Sequence, residues 1–348
     1  MRRSPTWTPE TPPAFVLGVD ENGVGPRLGP MIVTSVLVRT DARGAKTMCT
    51  PARGKLAERA GDSKALVAFA DAALGEAWAR AIVARQGAAP STQRELMRAL
   101  FLDDEAELTR PCPSHHDDLC FSDRHEALTA DAALVKECTR DLERLAARGA
   151  DVRRARVAVS CARRLNDAAA VGRSRFDVDL EHMERLVLAA RRDAGADVLA
   201  LCGKVGGIDF YSGRFMHLSS YLVSTIEEGR AASAYQIPGV GRVAFTRDAD
   251  AHHLVVGLAS LVGKWVRDAL MRRVTGWFRE LDPDVADVSG YHDPATARFV
   301  DATRLVRRAR KVDDACFERR CAEPRVTSEK QKPKRPARPD GAPPRPSR

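Results

Sequence analysis

The sequence has no run of apolar residues long enough to cross a bilayer. Its first residues, Met1-Arg2-Arg3-Ser4-Pro5, lack the apolar stretch of a signal peptide. No membrane partner is therefore expected, and a cytoplasmic location with the eight cysteines reduced is. Paired CxxC elements are also missing. The run Cys112-Pro113-Ser114-His115-His116-Asp117-Asp118-Leu119-Cys120 holds two Cys and two His, but they are crowded and no second pair accompanies them. A polar surface loop is expected there rather than a zinc knuckle. Lysine is scarce beside arginine and alanine is abundant, which fits a GC-rich genome, so part of the arginine excess is codon usage.

What is present is globular. The chain has 348 residues, 44% of them hydrophobic, enough for one large domain or two ordinary ones. Its net charge of +9 favours a polyanionic partner. Residues 1–13 hold Pro5, Pro9, Pro12 and Pro13 and read as a flexible arm. Residues 328–348 are Pro, Lys, Arg and Ser, cannot bury a core, and read as a disordered basic tail.

The most informative stretch runs from Phe15-Val16-Leu17-Gly18-Val19-Asp20-Glu21 through Asn22-Gly23-Val24-Gly25-Pro26 into Met31-Ile32-Val33-Thr34-Ser35-Val36-Leu37-Val38. Two β-branched runs flank a Gly/Pro/Asn cluster, which predicts strand, turn, strand, with Asn22-Gly23 as the hairpin signal. Asp20 and Glu21 sit where the first strand ends. Carboxylate oxygens there suit a hard cation such as Mg²⁺, provided the chain bends so that both converge. Gly23-Val24-Gly25 has no third glycine at Rossmann spacing and is followed by a strand, which argues against a dinucleotide site.

Further along, Asp62-Ser63-Lys64 caps an apolar-periodic run with Leu66, Phe69, Ala73, Ala77 and Ile82, which predicts one helix. Leu128 to Ala147 has helical period. A helix carries Leu180, Met183, Val187 and Ala190 on one face. Asp197 to Lys204 reads as a buried strand, and Arg242 to Thr246 as another that delivers Arg247-Asp248-Ala249-Asp250. Leu254, Leu258, Leu261, Trp265 and Ala269 predict a long helix. Ser289-Gly290-Tyr291 marks a turn before a short helix around Ala295 to Arg308.

These segments, in this order, resemble the ribonuclease HII (type 2 ribonuclease H) family. The carriers are Asp20-Glu21 with Gly23-Val24-Gly25, then Asp62-Ser63-Lys64. Asp250-Ala251, Ala259-Ser260-Leu261-Val262-Gly263-Lys264, Arg267-Asp268 and Ser289-Gly290-Tyr291 follow at family-like spacing. The resemblance covers about 15–40, 62–85 and 157–305, with an insertion at about 88–150 inside one domain over 14–310. It implies a ribonuclease H-like α/β fold, with a mixed central sheet flanked by helices and a C-terminal helical cap. It further implies a metal-dependent endoribonuclease, expected as a monomer. Its substrate would be RNA in RNA/DNA hybrids, or ribonucleotides embedded in duplex DNA. Two Mg²⁺ or Mn²⁺ ions would serve the chemistry and leave a 3′-hydroxyl and a 5′-phosphate. Asp20, Glu21 and Asp250 would be catalytic metal ligands. Gly23, Val24, Gly25, Lys64 and Tyr291 would bind substrate.

Two positions depart from the family. Val24 stands where Arg is usual. Cys202 stands where the strand-end Asp belongs, and a thiol is a poor Mg²⁺ ligand. Asp209 and Asp248 are spare carboxylates nearby. The alternative is a catalytically impaired nucleic-acid-binding protein that keeps the fold.

Overall fold

The computed structural model describes residues 9–68, 73–113, 126–206 and 208–320. Within them the strands are β1 (Phe15–Asn22), β2 (Met31–Thr40), β3 (Ala150–Ser160), β4 (Val198–Gly203), β5 (Ser224–Glu228), β6 (Ala232–Ile237) and β7 (Gly241–Thr246). They form one seven-stranded sheet in the order β3-β2-β1-β4-β7-β6-β5. The central neighbours β1, β4 and β7 run parallel, and the outer pairings are antiparallel. The first helices are α1 (Ala42–Met48), α2 (Ser63–Leu66), α3 (Ala73–Ala84), α4 (Gln93–Leu100), α5 (Glu105–Thr109) and α6 (Ala132–Ala146). Then come α7 (Ala162–Ala170), α8 (Arg175–Ala194), α9 (Ala249–His252), α10 (Leu254–Leu281), α11 (Pro294–Ala302), α12 (Arg304–Ala309) and α13 (Asp314–Phe317). The expected fold class, α/β with a mixed central sheet flanked by helices, is the one observed.

Strand alternation assigns the two faces. On β1, Leu17 and Val19 pack with Leu180, Met183 and Val187 of α8. Val16 packs on the other face with α10 and α3. Gly18 is what lets α10 lie on β1, because a Cβ there would come within 2.4 Å of the Val255 carbonyl. Helix α8 has the local signals its sequence promises. Ser174 and Asp177 form a capping box, and Gly195 ends the helix at φ 65°.

Several expectations are corrected. The single helix after Asp62 is two. Val67 is extended (φ −137°, ψ 120°) and its carbonyl accepts from Lys264 Nζ, so α2 stops after Leu66; α3 is described from Ala73, and the expected Phe69 lies outside the described residues. Asn22-Gly23 does not make a two-residue turn. The loop 23–30 separates β1 from β2, held open by contacts with the C-terminal segment. The helix around 295–308 breaks at Thr303, whose hydroxyl bonds the Phe299 carbonyl at 2.8 Å. Between β2 and α2 lies α1, capped by Asp41.

The 88–150 segment contributes α4 to α6, and α6 packs on α3 and β3 within the same core. Packed structure continues past residue 310, since Phe317 and Arg319 are buried. The β5–β6 hairpin was not anticipated, because Ser224-Thr225-Ile226-Glu227-Glu228 is polar and lies at the sheet edge. The basic tail, residues 1–8 of the arm and most of the Cys112–Cys120 run lie outside the described residues. No described helix is long and apolar enough to cross a membrane.

Candidate active site

Parallel strands β1 and β4 end at one edge of the sheet, and β7 ends beside them. A cleft of about 470 Å³ opens there. Asp20 and Glu21 reach it from β1, and Asp250 from α9, which follows β7 directly. Asp209 and Asp248 also line it. The cations facing these acids are Lys64, Lys204, Arg230 and Arg247. Residues from opposite ends of the sequence thus meet in one polar cleft.

Asp20 points to the α10 face of the sheet. It is bound by the Ser260 hydroxyl, which lies 2.9 Å from the Ser63 hydroxyl of α2. Three elements therefore set its position. Burial holds the Asp20 carboxyl well above its ordinary range, and the Asp250 and Glu21 charges push the same way. Asp250 is also raised, by burial and then by Asp62. Glu21 alternates to the α8 face, where burial raises it to about 7. The Val24 N–H donates to its carboxylate, and Arg319, Arg267 and Lys64 oppose the rise. Asp209 differs: it is half-buried and pairs with Lys204 at 2.6 Å, which lowers its pKa.

Cys202 does not line the cleft; its neighbour Gly203 does. Cys202 pairs in register with Val19 and is fully buried with it and Met183 on the α8 face. Burial pushes its thiol up. A Cβ on Gly203 would lie 2.9 Å from Asp20 Oδ1, so Gly203 is the β4 position that faces the carboxylates.

Gly23, Val24, Gly25 and Tyr291 form a second group beside the cleft and do not line it. Arg319, 5% exposed, donates to the Gly23 carbonyl at 2.6 Å and the Gly29 carbonyl at 2.7 Å. Arg175 donates to the Val24 carbonyl at 2.9 Å. The Gly290 carbonyl accepts from Arg27 and Leu28 N–H, which ties the Ser289-Gly290-Tyr291 turn to the loop. Tyr291 is half-exposed, its ring 4.9 Å from the Arg267 guanidinium. Gly23 needs to be glycine: its φ is +95°, and a Cβ would come 2.4 Å from Arg267 Nε. The C-terminal helices thus pack against the glycine loop, with no residue lining the acidic cleft. Next to that loop a second cleft, about 780 Å³, is walled mainly by arginines, Arg304, Arg308 and Arg320 among them, with Glu318 and Asp314 paired to Arg27 and Arg307 in the same wall. The sequence reading missed this wall because its arginines come from separated segments.

Among the described residues, no three His, Cys, Asp or Glu side chains stand together as a formed metal cage. The donor chemistry nevertheless fits a hard divalent cation. The cleft presents carboxylate oxygens, and the charges of Asp250 and Glu21 raise the proton affinity of Asp20, the situation a cation relieves. Asn22 Oδ1, at the same strand end, is buried with no hydrogen-bond partner.

No family model and no curated protein matches the chain. Solved structures do align with it. The RNase HII of Archaeoglobus fulgidus, in its complex with PCNA, is 14% identical over 87% of this chain and 93% of that one, with a TM-score of 0.39. Ribonuclease H2 from Pyrococcus horikoshii OT3 is 15% identical over 87% and 92%, with a TM-score of 0.40. Bst-RNase HIII in complex with Mn²⁺ is 13% identical over 86% and 64%, with a TM-score of 0.39. Likeness at this level does not assign the chain to a family.

Proposed function

We propose that the acidic cleft is the active site of a ribonuclease HII-like endonuclease acting on RNA/DNA hybrids or on ribonucleotides embedded in duplex DNA. The observation that carries this reading is the convergence of Asp20, Glu21 and Asp250 beside a buried-arginine-braced glycine loop. Asp20, Glu21 and Asp250 would hold Mg²⁺ or Mn²⁺. The ions, when bound, activate water and stabilise the leaving 3′-oxygen. Ser260 and Ser63 keep the Asp20 carboxylate oriented. Lys64, exposed at the rim, meets the phosphate that enters. Gly23, Val24 and Gly25 offer close backbone approach to a 2′-hydroxyl, the group that distinguishes RNA from DNA. Tyr291 presents an aromatic face at the junction. The arginine-walled cleft beyond the loop suits the phosphate backbone of the flanking duplex.

A second reading is a nucleic-acid-binding protein with impaired catalysis. It is favoured by Gly203, which leaves the β4 end facing the cleft without a carboxylate. Cleavage of a duplex with one embedded ribonucleotide, in Mg²⁺ and then Mn²⁺, separates the two. The nuclease reading expects cuts with 3′-hydroxyl and 5′-phosphate ends, abolished by Asp20→Asn and Asp250→Asn and absent on an all-DNA duplex. Tight binding with no cleavage in either metal favours the second reading.

A further inference from the structure

β1 and β4 end at the same edge, and α8 leads back across the sheet into β4. The start of α8 therefore lies at that edge, level with the carboxylates. Asp179 falls in its second turn, one helical turn before Met183, which lines the cleft. Residues four apart share a helix face, so Asp179 is directed to the sheet side that holds Glu21, Val19 and Cys202. It is 2% exposed, and its Oδ1 has no hydrogen-bond partner.

Other buried carboxylates among the described residues are paired or hydrogen-bonded. Glu76, equally buried, accepts from the Thr129 and Ala130 N–H groups and the Thr129 hydroxyl. Glu184 accepts from the N–H groups of Met216, His217 and Leu218. Asp141 is paired with Arg59 at 2.8 Å and Arg144 at 3.0 Å. Asp268 also has an orphan oxygen, Oδ2, but its Oδ1 faces the Arg267 guanidinium at 3.5 Å. Each of these four has a cation or several donors beside it, and a buried carboxylate with neither costs several kcal/mol. Asp179 has apolar surroundings, an orphan oxygen, and two other acids, Glu21 and Asp20, whose charges reach it. No cation is among the groups whose charge reaches Asp179.

We propose that Asp179 is the fourth carboxylate of the metal centre, holding with Glu21 the ion on the α8 side of the sheet edge. It supplies from a helix the acid that neither Cys202 nor Gly203 supplies from β4. The proposal rests on the reading of the cleft as a divalent-metal nuclease site. The competing role is a neutral acid that shares a proton with Glu21 and serves packing alone.

The test is Mn²⁺ binding to the full chain without nucleic acid at pH 8, by spin-resonance titration, alongside metal-free melting temperatures. Wild type, Asp20→Asn, Asp179→Asn and Asp179→Leu are compared. The leucine variant suits the apolar layer and repeats the comparison without a buried amide. The expected result is a loss of one ion, or roughly a 10–100-fold fall in affinity, for both Asp179 variants. Their metal-free melting temperatures should equal or exceed wild type. Wild-type-like Mn²⁺ binding by the Asp179 variants, with Asp20→Asn defective, would overturn the role of Asp179 and leave the nuclease reading standing. No Mn²⁺ binding by wild type, with no effect of Asp20→Asn, would remove both.

Discussion

Glu21→Gln removes a carboxyl that burial raises from 4.5 to about 7. Between those pH values the folded protein keeps a proton that the unfolded chain has released. Stability from this group is therefore full below about pH 4.5 and falls as pH rises through about 7. At about 1.4 kcal/mol per unit, the rise corresponds to roughly 3.5 kcal/mol, most of it between pH 5 and pH 8. The amide variant escapes that loss. It also removes a charge that raises Asp20 and Asp179, so their penalties ease in the same direction. His182 works the opposite way: burial lowers it from 6.5 to about 4, so its contribution is lost as pH falls. Wild type and variant share His182, and subtracting one stability curve from the other removes it. The assay is urea unfolding at pH 5 and pH 8 with chelator present. The expected outcome is that the variant gains roughly 3 kcal/mol on wild type between the two pH values. Mn²⁺ added at pH 8 should restore wild type more than the variant. A difference that does not change with pH would show that Glu21 ionises as in water, and the desolvated strand end described above would be wrong.

Cys202→Asp should not raise cleavage, because Asp179, proposed as the fourth acid, already lies in the α8 layer, close enough for its charge to reach Cys202. It should instead lower stability by about 3 kcal/mol or more through an unpaired buried charge, read by melting temperature beside activity. Gly23→Ala should cost roughly 1–3 kcal/mol from positive φ and the Arg267 clash, with loss of substrate affinity exceeding loss of stability in a binding assay. Arg319→Met should free the Gly23 and Gly29 carbonyls from their donors and cost about 2–4 kcal/mol, measured by urea unfolding. The glycine loop should then become protease-sensitive while α10 stays protected from hydrogen exchange.

Much of the architecture was legible in order along the chain. The β-branched runs around Asp20, the amphipathic helix with Leu180 and Met183, and the long helix from Leu254 each carry local signals that tertiary contacts reinforce. The ordered acids were legible too, since a residue at a strand end has few places to go. Breaks were not legible. Val67 ends α2 because Lys264, far away in sequence, takes its carbonyl.

The sequence by itself determined that Asp20 and Glu21 stand at a strand end and that Asp250 follows another strand. Only the tertiary structure decided which side chain faces which layer. A strand places adjacent residues on opposite faces, so a one-residue difference separates Gly203, beside Asp20, from Cys202, buried behind it. No periodicity marks Asp179 as special, because a carboxyl on the core face of a helix reads as a pattern error. Its partners are set by the crossover from α8 into β4, which brings the start of that helix to the edge where the acids gather.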